Sequence, residues 1–271
     1  MKSAFTLGEQ IDPKFAKIVE YDKAEIDNPD KRQPSRMLYM DRINGVIDWV
    51  SRKFPQPEGV TVGEIGSAQG NMSMLLAERG FNALAIDINP DFLEYGKMKY
   101  EKGNIEWVHA NIVTLNIPKE SLDVAIMGEI IEHCAYPEDV IAKTLEFVKP
   151  GGYVVITTPN GARVKTGLPT FGEFSKKEDR KKFEELQFGP DGNNHLFLFT
   201  LAEVDSLIPK NAKVISRSFV GSTILLNRRT KWFFRIFPVR MFEKLIRMLS
   251  GIPLLNVKTF NNIMVVIQKN A

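Results

Sequence analysis

The chain has 271 residues, of which 44% are apolar and 25% are charged, and its formal net charge is +3 at pH 7. These values are typical of a globular protein with a buried core and exclude a disordered or collagen-like chain. The single cysteine, Cys134, excludes an internal disulfide framework. The start of the chain resembles no secretory signal, and no apolar run is long enough to span a bilayer. We therefore expect a cytoplasmic protein.

Residues 1–34 are polar and are interrupted by three prolines, which predicts a loosely structured segment with one short helix. A longer helix follows, with Ser35 as its N-cap and with apolar residues at helical spacing through Lys53. We group 1–54 as an N-terminal helical segment of one domain that comprises 1–271.

Residues 60–70, VTVGEIGSAQG, combine an apolar strand with a turn of small residues, and Asn71 begins a helical pattern. Glycines let the backbone approach a ligand closely, and a helix N-terminus offers unpaired N–H groups. The next predicted strand, 82–88, ends in Asp87, 21 residues after Gly66. An acidic residue there can accept hydrogen bonds from both ribose hydroxyls. Together, the two features predict a site for a nucleotide-like ligand.

Predicted strands and helices alternate after residue 60, which indicates a mainly parallel sheet with helices on both faces. We predict strands at 60–65, 82–88, 105–109, 123–128 and 152–157, and helices at 71–79, 90–101 and 137–147. Ligands bind at the carboxyl ends of such strands. Four polar or glycine residues fall there: Gly66, Asp87, Asn111 and Glu129.

The alternation stops at 160–198, which contains the charged run SKKEDRKKFEE. We interpret the run as a solvated helix or loop, and the whole segment as a lid insertion over the site. Thr200 caps a predicted helix that ends at Leu207. The last two strands are predicted at 213–220 and 262–268.

A long basic insertion, 222–260, connects these two strands. Between 228 and 258 it holds eight basic residues and one acid, so the rest of the chain is net acidic. Pro238 begins and Gly251 ends a predicted amphipathic helix. We interpret this helix as packed on the core with a basic solvent face. The alternative is an interfacial helix in 228–258 that contacts anionic lipid, a lipid-linked substrate or an acidic polymer, peripherally at the inner membrane face.

The turn after the first strand identifies a family. It lacks the G-x-G-x-x-G of a dinucleotide oxidoreductase, because Asn71 stands at the third glycine, and it reads E-x-G-x-A-x-G instead. It therefore resembles the first motif, [D/E]-x-G-x-G-x-G, of the class I S-adenosylmethionine (SAM)-dependent methyltransferases, with Ala68 at the middle glycine. The resemblance implies an α/β fold. Its Rossmann-like seven-stranded sheet is mostly parallel, with an antiparallel edge hairpin, helices on both faces and lid insertions.

The resemblance also implies SAM as the cofactor and assigns its contacts. Asp87 takes the ribose, Ile88 packs on the adenine, Asn111 bonds the adenine amino group and Ile112 offers a backbone N–H. The residues that border the methionine part are Glu64, Gly66, Ser67, Ala68 and Gly70. In this family, the helix before the first strand often borders the same part, so Tyr39 or Arg42 could reach the methionine carboxylate.

The acceptor side is predicted at residues 128–133, GEIIEH, directly after the fourth strand. In a helix, Glu129, Glu132 and His133 would share a face. The stretch resembles the E-[IV]-[IL]-E-H motif of ubiquinone-pathway and related O-methyltransferases. It also resembles small-RNA 3′-end 2′-O-methyltransferases, in which such a motif and a later histidine bind a divalent ion. His195, within NHLFLFT, resembles the H-x-F-x-x-T pattern of those families.

These resemblances imply that His133 and Glu132 are catalytic residues. They also imply that a divalent ion, Mg, Mn, Fe or Zn, could bind at a site formed by Glu129, Glu132, His133 and His195. Without an ion, His133 would be a general base, and both versions stay open. The predicted activity is SAM-dependent O-methylation of a glycan, a lipid-linked sugar or a quinol-type acceptor. One alternative is an RNA ribose 2′-O-methyltransferase, which the concentration of basic residues in a hydrophobic insertion disfavours. The other is a SAM-binding regulatory protein without turnover.

Overall fold

The computed structural model describes most of the chain: residues 1–7, 11–174, 176–187, 194–222 and 259–271, together with Met241, Lys244, Leu245 and Met248. Apart from those four residues and its two ends, the predicted insertion at 222–260 lies outside the described residues. The same holds for its predicted helix and for the membrane contact predicted through 228–258. In the described part of the chain, no helix has the length and apolar character to cross a membrane.

A seven-stranded sheet forms the centre of the molecule, in the order β3-β2-β1-β4-β5-β7-β6. Its strands are β1 (Thr61–Ile65), β2 (Asn82–Asp87), β3 (Asn104–His109), β4 (Leu122–Gly128), β5 (Val148–Pro159), β6 (Ala212–Ser222) and β7 (Phe260–Lys269). Strands β1 to β5 pair in parallel, and β7 pairs antiparallel with both β5 and β6. The structure thus confirms the seven-stranded α/β architecture with an antiparallel edge.

Helices cover both faces of this sheet. They are α1 (Ala4–Leu7), α2 (Ala16–Ala24), α3 (Pro34–Lys53), α4 (Asn71–Ala77), α5 (Pro90–Lys99), α6 (Pro137–Phe147), α7 (Lys177–Arg180) and α8 (Leu201–Ser206). Alternate residues of β4 enter two separate cores: Ala125 and Met127 on one face, Val124 and Ile126 on the other. Both faces of β4 are therefore buried, as expected of a central parallel strand.

Two helix caps show how local sequence sets the element ends. Helix α3 begins with Gln33, whose side chain accepts a hydrogen bond from the Ser35 N–H at 2.6 Å, so the prediction of Ser35 as the N-cap is wrong. At α8 the prediction is confirmed: Thr200 and Glu203 form a reciprocal capping box.

Part of the predicted lid insertion is well packed. Its short elements lie at Phe171–Phe174, α7 and Lys181–Phe183. Arg180 is 2% exposed and donates to both carboxylate oxygens of Glu138 on α6, at 2.6 and 2.8 Å. The interpretation of the charged run as fully solvated is therefore wrong at Arg180, because α6 supplies a carboxylate that neutralises its charge.

The two ends of the 222–260 insertion are fixed next to each other on the sheet. Ser222 of β6 pairs with Phe260 of β7. The backbone N–H groups of Gly221 and Ser222 donate to the Asp41 carboxylate on α3, at 2.8 and 3.2 Å. The insertion thus leaves and rejoins the fold at one defined place.

A buried polar network fixes the N-terminal segment to the sheet. Asp22 of α2 and Lys99 of α5 are both fully buried and form an ion pair. The Asp22 carboxylate also accepts from the side-chain amides of Gln69 and Asn71, both at 2.8 Å, and Lys99 donates to the Asn71 side chain at 3.0 Å. The prediction of a loosely structured N-terminal segment is wrong, since this network binds α2 to the turn after β1.

Substituting Lys99 tests this network. In Lys99→Met the Asp22 carboxylate loses its cation while it stays buried, and breaking a buried pair in this way costs about 3–5 kcal/mol. We expect the free energy of unfolding, measured by guanidinium denaturation, to fall by that amount. Lys97→Met, on an exposed position of the same helix, is the control. Equal stability of the two variants would contradict the structural role of the pair.

Candidate active site

A cavity of about 810 Å³ lies at the carboxyl ends of β1, β2 and β4. Eight of the nine predicted cofactor-binding residues line it: Glu64, Gly66, Ser67, Ala68, Asp87, Ile88, Asn111 and Ile112. The ninth, Gly70, instead forms the N-cap of α4 with a φ of 69°, and Trp107 leaves no room for a side chain on it. These eight residues lie at the ends of β1, β2 and β3 and so share one cavity.

The turn after β1 has a left-handed backbone at Gly66 and at Ala68, whose φ angles are 67° and 46°. A Cβ on Gly66 would lie 2.0 Å from Cδ1 of Ile130, so a side chain there would have to displace Ile130 and also adopt a left-handed backbone. Ala68, which replaces the middle glycine of the motif, adopts a conformation that side chains disfavour. Some other contact must hold this turn in place.

Asp87 provides that contact. Its carboxylate accepts hydrogen bonds from the backbone N–H of Ala68 at 2.7 Å and from that of Asn89 at 2.8 Å. Asp87 is 7% exposed, and burial raises its pKa while these hydrogen bonds oppose the increase. Each oxygen keeps a second lone pair for a hydroxyl donor. The residue predicted to bind ribose thus also stabilises the turn after β1.

Glu64 is buried at the base of the same turn. One of its oxygens accepts from both the backbone N–H and the hydroxyl of Ser73, at 2.9 and 2.5 Å, which ties β1 to α4. Burial raises the pKa of Glu64 to about 7. The structure therefore gives Glu64 a clear packing role, and its contact with the cofactor stays a prediction.

The predicted adenine end of the cavity is more open. Asn111 accepts a hydrogen bond from the Val113 N–H at 2.9 Å, which forms a local turn, and the same oxygen is the one that an adenine amino group would need. Ile112 is buried, whereas Ile88 is 43% exposed at the cavity mouth. An exposed apolar side chain there offers a surface for a planar ring.

The acceptor motif is a tight turn and not the predicted α-helix. Glu129 has a φ of 59°, and a single 3₁₀ turn spans Ile131–His133. The cluster still forms, because potential ligand atoms of Glu132, His133 and His195 all lie within 4.8 Å of one another. Glu129 is not part of this close group, and it accepts a hydrogen bond from the Asn262 amide at 2.7 Å.

Two carboxylate oxygens beside this cluster are buried without a hydrogen-bond partner among the described residues: Oε1 of Glu129 and Oε1 of Glu132. The other oxygen of Glu132 accepts from the Thr158 hydroxyl at 3.0 Å. Burial and the neighbouring Glu129 raise the pKa of Glu132 well above its usual value. A buried carboxylate oxygen without a donor is costly. The cluster of Glu132, His133 and His195, with Glu129 beside it, therefore fits a bound cation.

His133 has a defined tautomer. Its Nδ1 lies 3.0 Å from the carbonyl oxygen of Asn194, and a carbonyl can only accept, so Nδ1 carries the proton and Nε2 keeps a lone pair. Burial, with a contribution from His195, lowers the pKa of His133 to about 4. The imidazole is thus neutral at pH 7 and can act as a metal ligand or as a base.

The structure adds cavity residues that the sequence did not reveal. Tyr21 and Glu25 line the cavity from the end of α2, and Gln69 lines it from the turn after β1. Tyr39 and Arg42 of α3 line it as well, as the resemblance implied. No short motif predicts that α2 lines the cavity, because α2 and the other cavity residues are far apart in the chain.

Comparison with known proteins matches the central part of the chain. A family model described as a methyltransferase domain matches residues 63–156. The mitochondrial ubiquinone biosynthesis O-methyltransferase of Schizosaccharomyces pombe is 29% identical over 133 residues, which are 46% of this chain and 47% of that protein. The ubiquinone biosynthesis O-methyltransferase of Acinetobacter baumannii strain AYE is 28% identical over 137 residues, 47% of this chain and 56% of that protein. The chain spans about half the length of these curated relatives.

Solved structures share the fold at low sequence identity. Magnesium protoporphyrin IX methyltransferase from Synechocystis PCC 6803, with bound SAH (S-adenosylhomocysteine), aligns with a TM-score of 0.59 and 10% identity, covering 99% of this chain and 100% of that chain. The [4+2]-cyclase SpnF aligns with a TM-score of 0.54 and 12% identity, covering 90% and 85%. One neighbour is described as a methyltransferase and the other as a cyclase, so the reaction must be argued from the site.

The contact between Gly66 and Ile130 gives a test of the cavity. In Gly66→Ala the new Cβ would collide with Ile130, so we expect SAH binding, measured by calorimetry, to weaken at least about tenfold. Gly151→Ala is the matched control, because Gly151 has a φ of 76° with no atom within 4 Å of the added Cβ. It should lose about 1–2 kcal/mol of stability and bind SAH normally. Equal SAH affinity in both variants would refute the contact's role.

Proposed function

We propose that this chain, which belongs to the class I SAM-dependent methyltransferases, transfers a methyl group from SAM to a hydroxyl group of a small-molecule acceptor. Quinol-type, glycan and lipid-linked acceptors all carry such a hydroxyl. The relatives described as ubiquinone biosynthesis O-methyltransferases support oxygen as the methylated atom.

One observation carries this proposal: the turn after β4 and the segment before α8 bring His133 and His195 into the same cavity as Asp87 and the turn after β1. A neutral imidazole and a buried carboxylate at that position can take or share the proton of a hydroxyl. A protein that only binds SAM has no need for this cluster. The geometry therefore favours an enzyme over a regulatory protein.

The chain's own residues would hold the cofactor by complementary contacts. SAM, when bound, supplies a methyl group on a positively charged sulfur that a nucleophile can attack. Asp87 would accept from the ribose hydroxyls, Ile88 would pack on the adenine, and the backbone of the turn at Gly66 would border the methionine part. Arg42, a cavity-lining cation on α3, would bind the methionine carboxylate.

The acceptor hydroxyl would be activated at Glu132, His133 and His195. These three residues provide one carboxylate and two imidazoles, a set that suits Fe or Zn better than Mg. A divalent ion held there would lower the pKa of an acceptor hydroxyl. Without an ion, Nε2 of His133 is the free base, since Nδ1 is committed to Asn194.

We also propose that the described parts of the predicted lid insertion, 160–174, 176–187 and 194–198, cover the acceptor side of the cavity. The backbone of Asn194 bonds His133, and the Leu196 N–H donates to the carbonyl of Glu132 at 2.7 Å. The ion pair between Arg180 and Glu138 holds the preceding part of the segment to α6. The segment therefore contacts the acceptor motif directly.

Transfer of label from methyl-labelled SAM tests the proposed activity. We expect label to enter a small-molecule, glycan or lipid fraction of a cell lysate, and the Asp87→Ala variant to transfer none because it lacks the ribose contact. Label in RNA would support the RNA ribose methyltransferase instead. SAH binding without transfer to any fraction would support a regulatory protein.

Metal binding tests the Glu132 cluster independently of activity. We expect Zn²⁺ or Fe²⁺ to bind the purified, chelator-treated protein in calorimetry, and Glu132→Gln to weaken this binding at least about tenfold, since a charged ligand is lost. Glu129→Gln should weaken binding less, because Glu129 lies outside the close group. An absence of binding together with full methyl transfer in chelator would contradict the metal site and leave His133 as the base.

A further inference from the structure

Glu129 has an unfavourable backbone conformation, and contacts from two strands hold it there. Its φ of 59° lies in the left-handed region, which residues with a side chain adopt rarely. Its backbone N–H donates to the carbonyl of Thr157 on β5 at 2.9 Å, and its side-chain oxygen Oε2 accepts from the amide of Asn262 on β7 at 2.7 Å. Strain of this kind persists only where the surroundings enforce it. At the Glu129 side chain, β7 supplies that enforcement.

The side chain of Asn262 is itself fixed. Its backbone pairs with Pro159 of β5 on one side and with Val220 of β6 on the other. Because a carboxylate can only accept, the amide nitrogen of Asn262 faces Glu129 and the amide oxygen points elsewhere. That oxygen lies against Gly221, which has a φ of 70°, and a Cβ on Gly221 would lie 2.7 Å from it. The absence of a side chain at Gly221 thus makes room for the Asn262 amide.

The contact with Asn262 uses one oxygen of Glu129 and leaves the other. Oε1 of Glu129 is buried without a hydrogen-bond partner among the described residues. Glu129 lines the cavity beside the cluster of Glu132, His133 and His195. Burial lowers the pKa of His195, and the charge of Glu129 opposes this decrease, so that charge acts on the cluster. A carboxylate that is held by one oxygen keeps the other for a cation.

We propose that Asn262 is a positioning residue for the metal site: its amide holds Glu129 so that Oε1 is available to a cation bound by Glu132, His133 and His195. This inference rests on the proposed function, since it concerns the same candidate site. Residues around a metal site orient its carboxylates by hydrogen bonds, and their loss weakens metal binding. Here the orienting residue lies 133 positions after the carboxylate that it holds.

A double-mutant cycle between Asn262 and Glu129 tests this role. We expect Asn262→Leu, which removes the amide at nearly constant size, to weaken Zn²⁺ binding to the chelator-treated protein about fivefold in calorimetry. Glu129→Gln should weaken it by the same factor. The double variant should bind Zn²⁺ no more weakly than either single variant, because Asn262 acts through Glu129. Asn262→Leu should bind SAH as the wild type does, since Asn262 lies outside the cavity lining.

Gly221→Ala reaches the same hydrogen bond without changing either partner. The new Cβ would displace the Asn262 amide, so we expect the same loss of Zn²⁺ affinity as in Asn262→Leu, and this variant decides the question where Asn262→Leu does not fold. Gly59→Ala is the matched control. Gly59 has a φ of 79° and no atom within 4 Å of the added Cβ, so it has a similar backbone cost and no effect on Asn262. Its Zn²⁺ affinity should equal that of the wild type.

The possible outcomes distinguish the inference from the proposed function. Unchanged Zn²⁺ affinity in Asn262→Leu would show that its positioning role is wrong and would leave the Glu132 cluster in place. Additive losses in the double variant would mean that Asn262 acts on the fold and not through Glu129, which also overturns the inference. If the wild-type protein binds no divalent ion, the inference falls with the metal site, and the transfer of label still decides the proposed reaction. If no methyl group is transferred but the Zn²⁺ cycle behaves as expected, the proposed function fails and the role of Asn262 stands.

Discussion

The hydrogen bond from the Ala68 N–H to the Asp87 carboxylate joins the two halves of the cavity. It spans from the turn after β1 to the end of β2 and holds Ala68 in a left-handed conformation that an alanine would otherwise avoid. With the turn so held, Gly66 lies against Ile130 of the acceptor turn. The turn after β1 and the turn after β4 are therefore in van der Waals contact through one glycine.

The balance of charge around this cavity suits the proposed reaction. Glu25, Asp87 and Glu129 line it as acids, and Arg42 is its principal cation. SAM carries a positive sulfur, and the product SAH does not. Because the acids that line the cavity outnumber its lysines and arginines, they would stabilise SAM, whose sulfur is positive, more than SAH, whose sulfur is neutral. In the proposed reaction, methyl transfer itself would thus remove part of the attraction that holds the cofactor.

The sequence predicted those parts of the molecule that depend on local pattern. The strands follow from apolar runs, and the turn at Gly66 and the acid at Asp87 follow from their spacing. The motif also predicted that Glu132, His133 and His195 lie close together, although the backbone there is a 3₁₀ turn that follows a left-handed Glu129. Its side chains converge because the turn directly follows β4 and because His195 is brought back by the segment after β5.

The role of α2 could not be predicted in the same way. Its contacts with the turn after β1 join residues 47 and 49 positions apart, and its ion pair with Lys99 joins residues 77 positions apart. No periodicity or short motif records such pairings. In the sequence, Asp22 lies in a polar stretch interrupted by prolines and resembles a solvated residue. Only the fold shows that it is buried beside Lys99 of α5.

The way in which the insertion at 222–260 is attached has a consequence for how this fold can diverge. One end is bonded to Asp41, the neighbour of Arg42, and the other end leads to Asn262, which holds Glu129. Because the ends are fixed by the pairing of β6 with β7, the entropy of closing the connection rises only with the logarithm of its length. Evolution can therefore lengthen, shorten or replace this connection at small thermodynamic cost. The turn after β1 and the end of β2 can then stay unchanged while this connection differs from one descendant to the next.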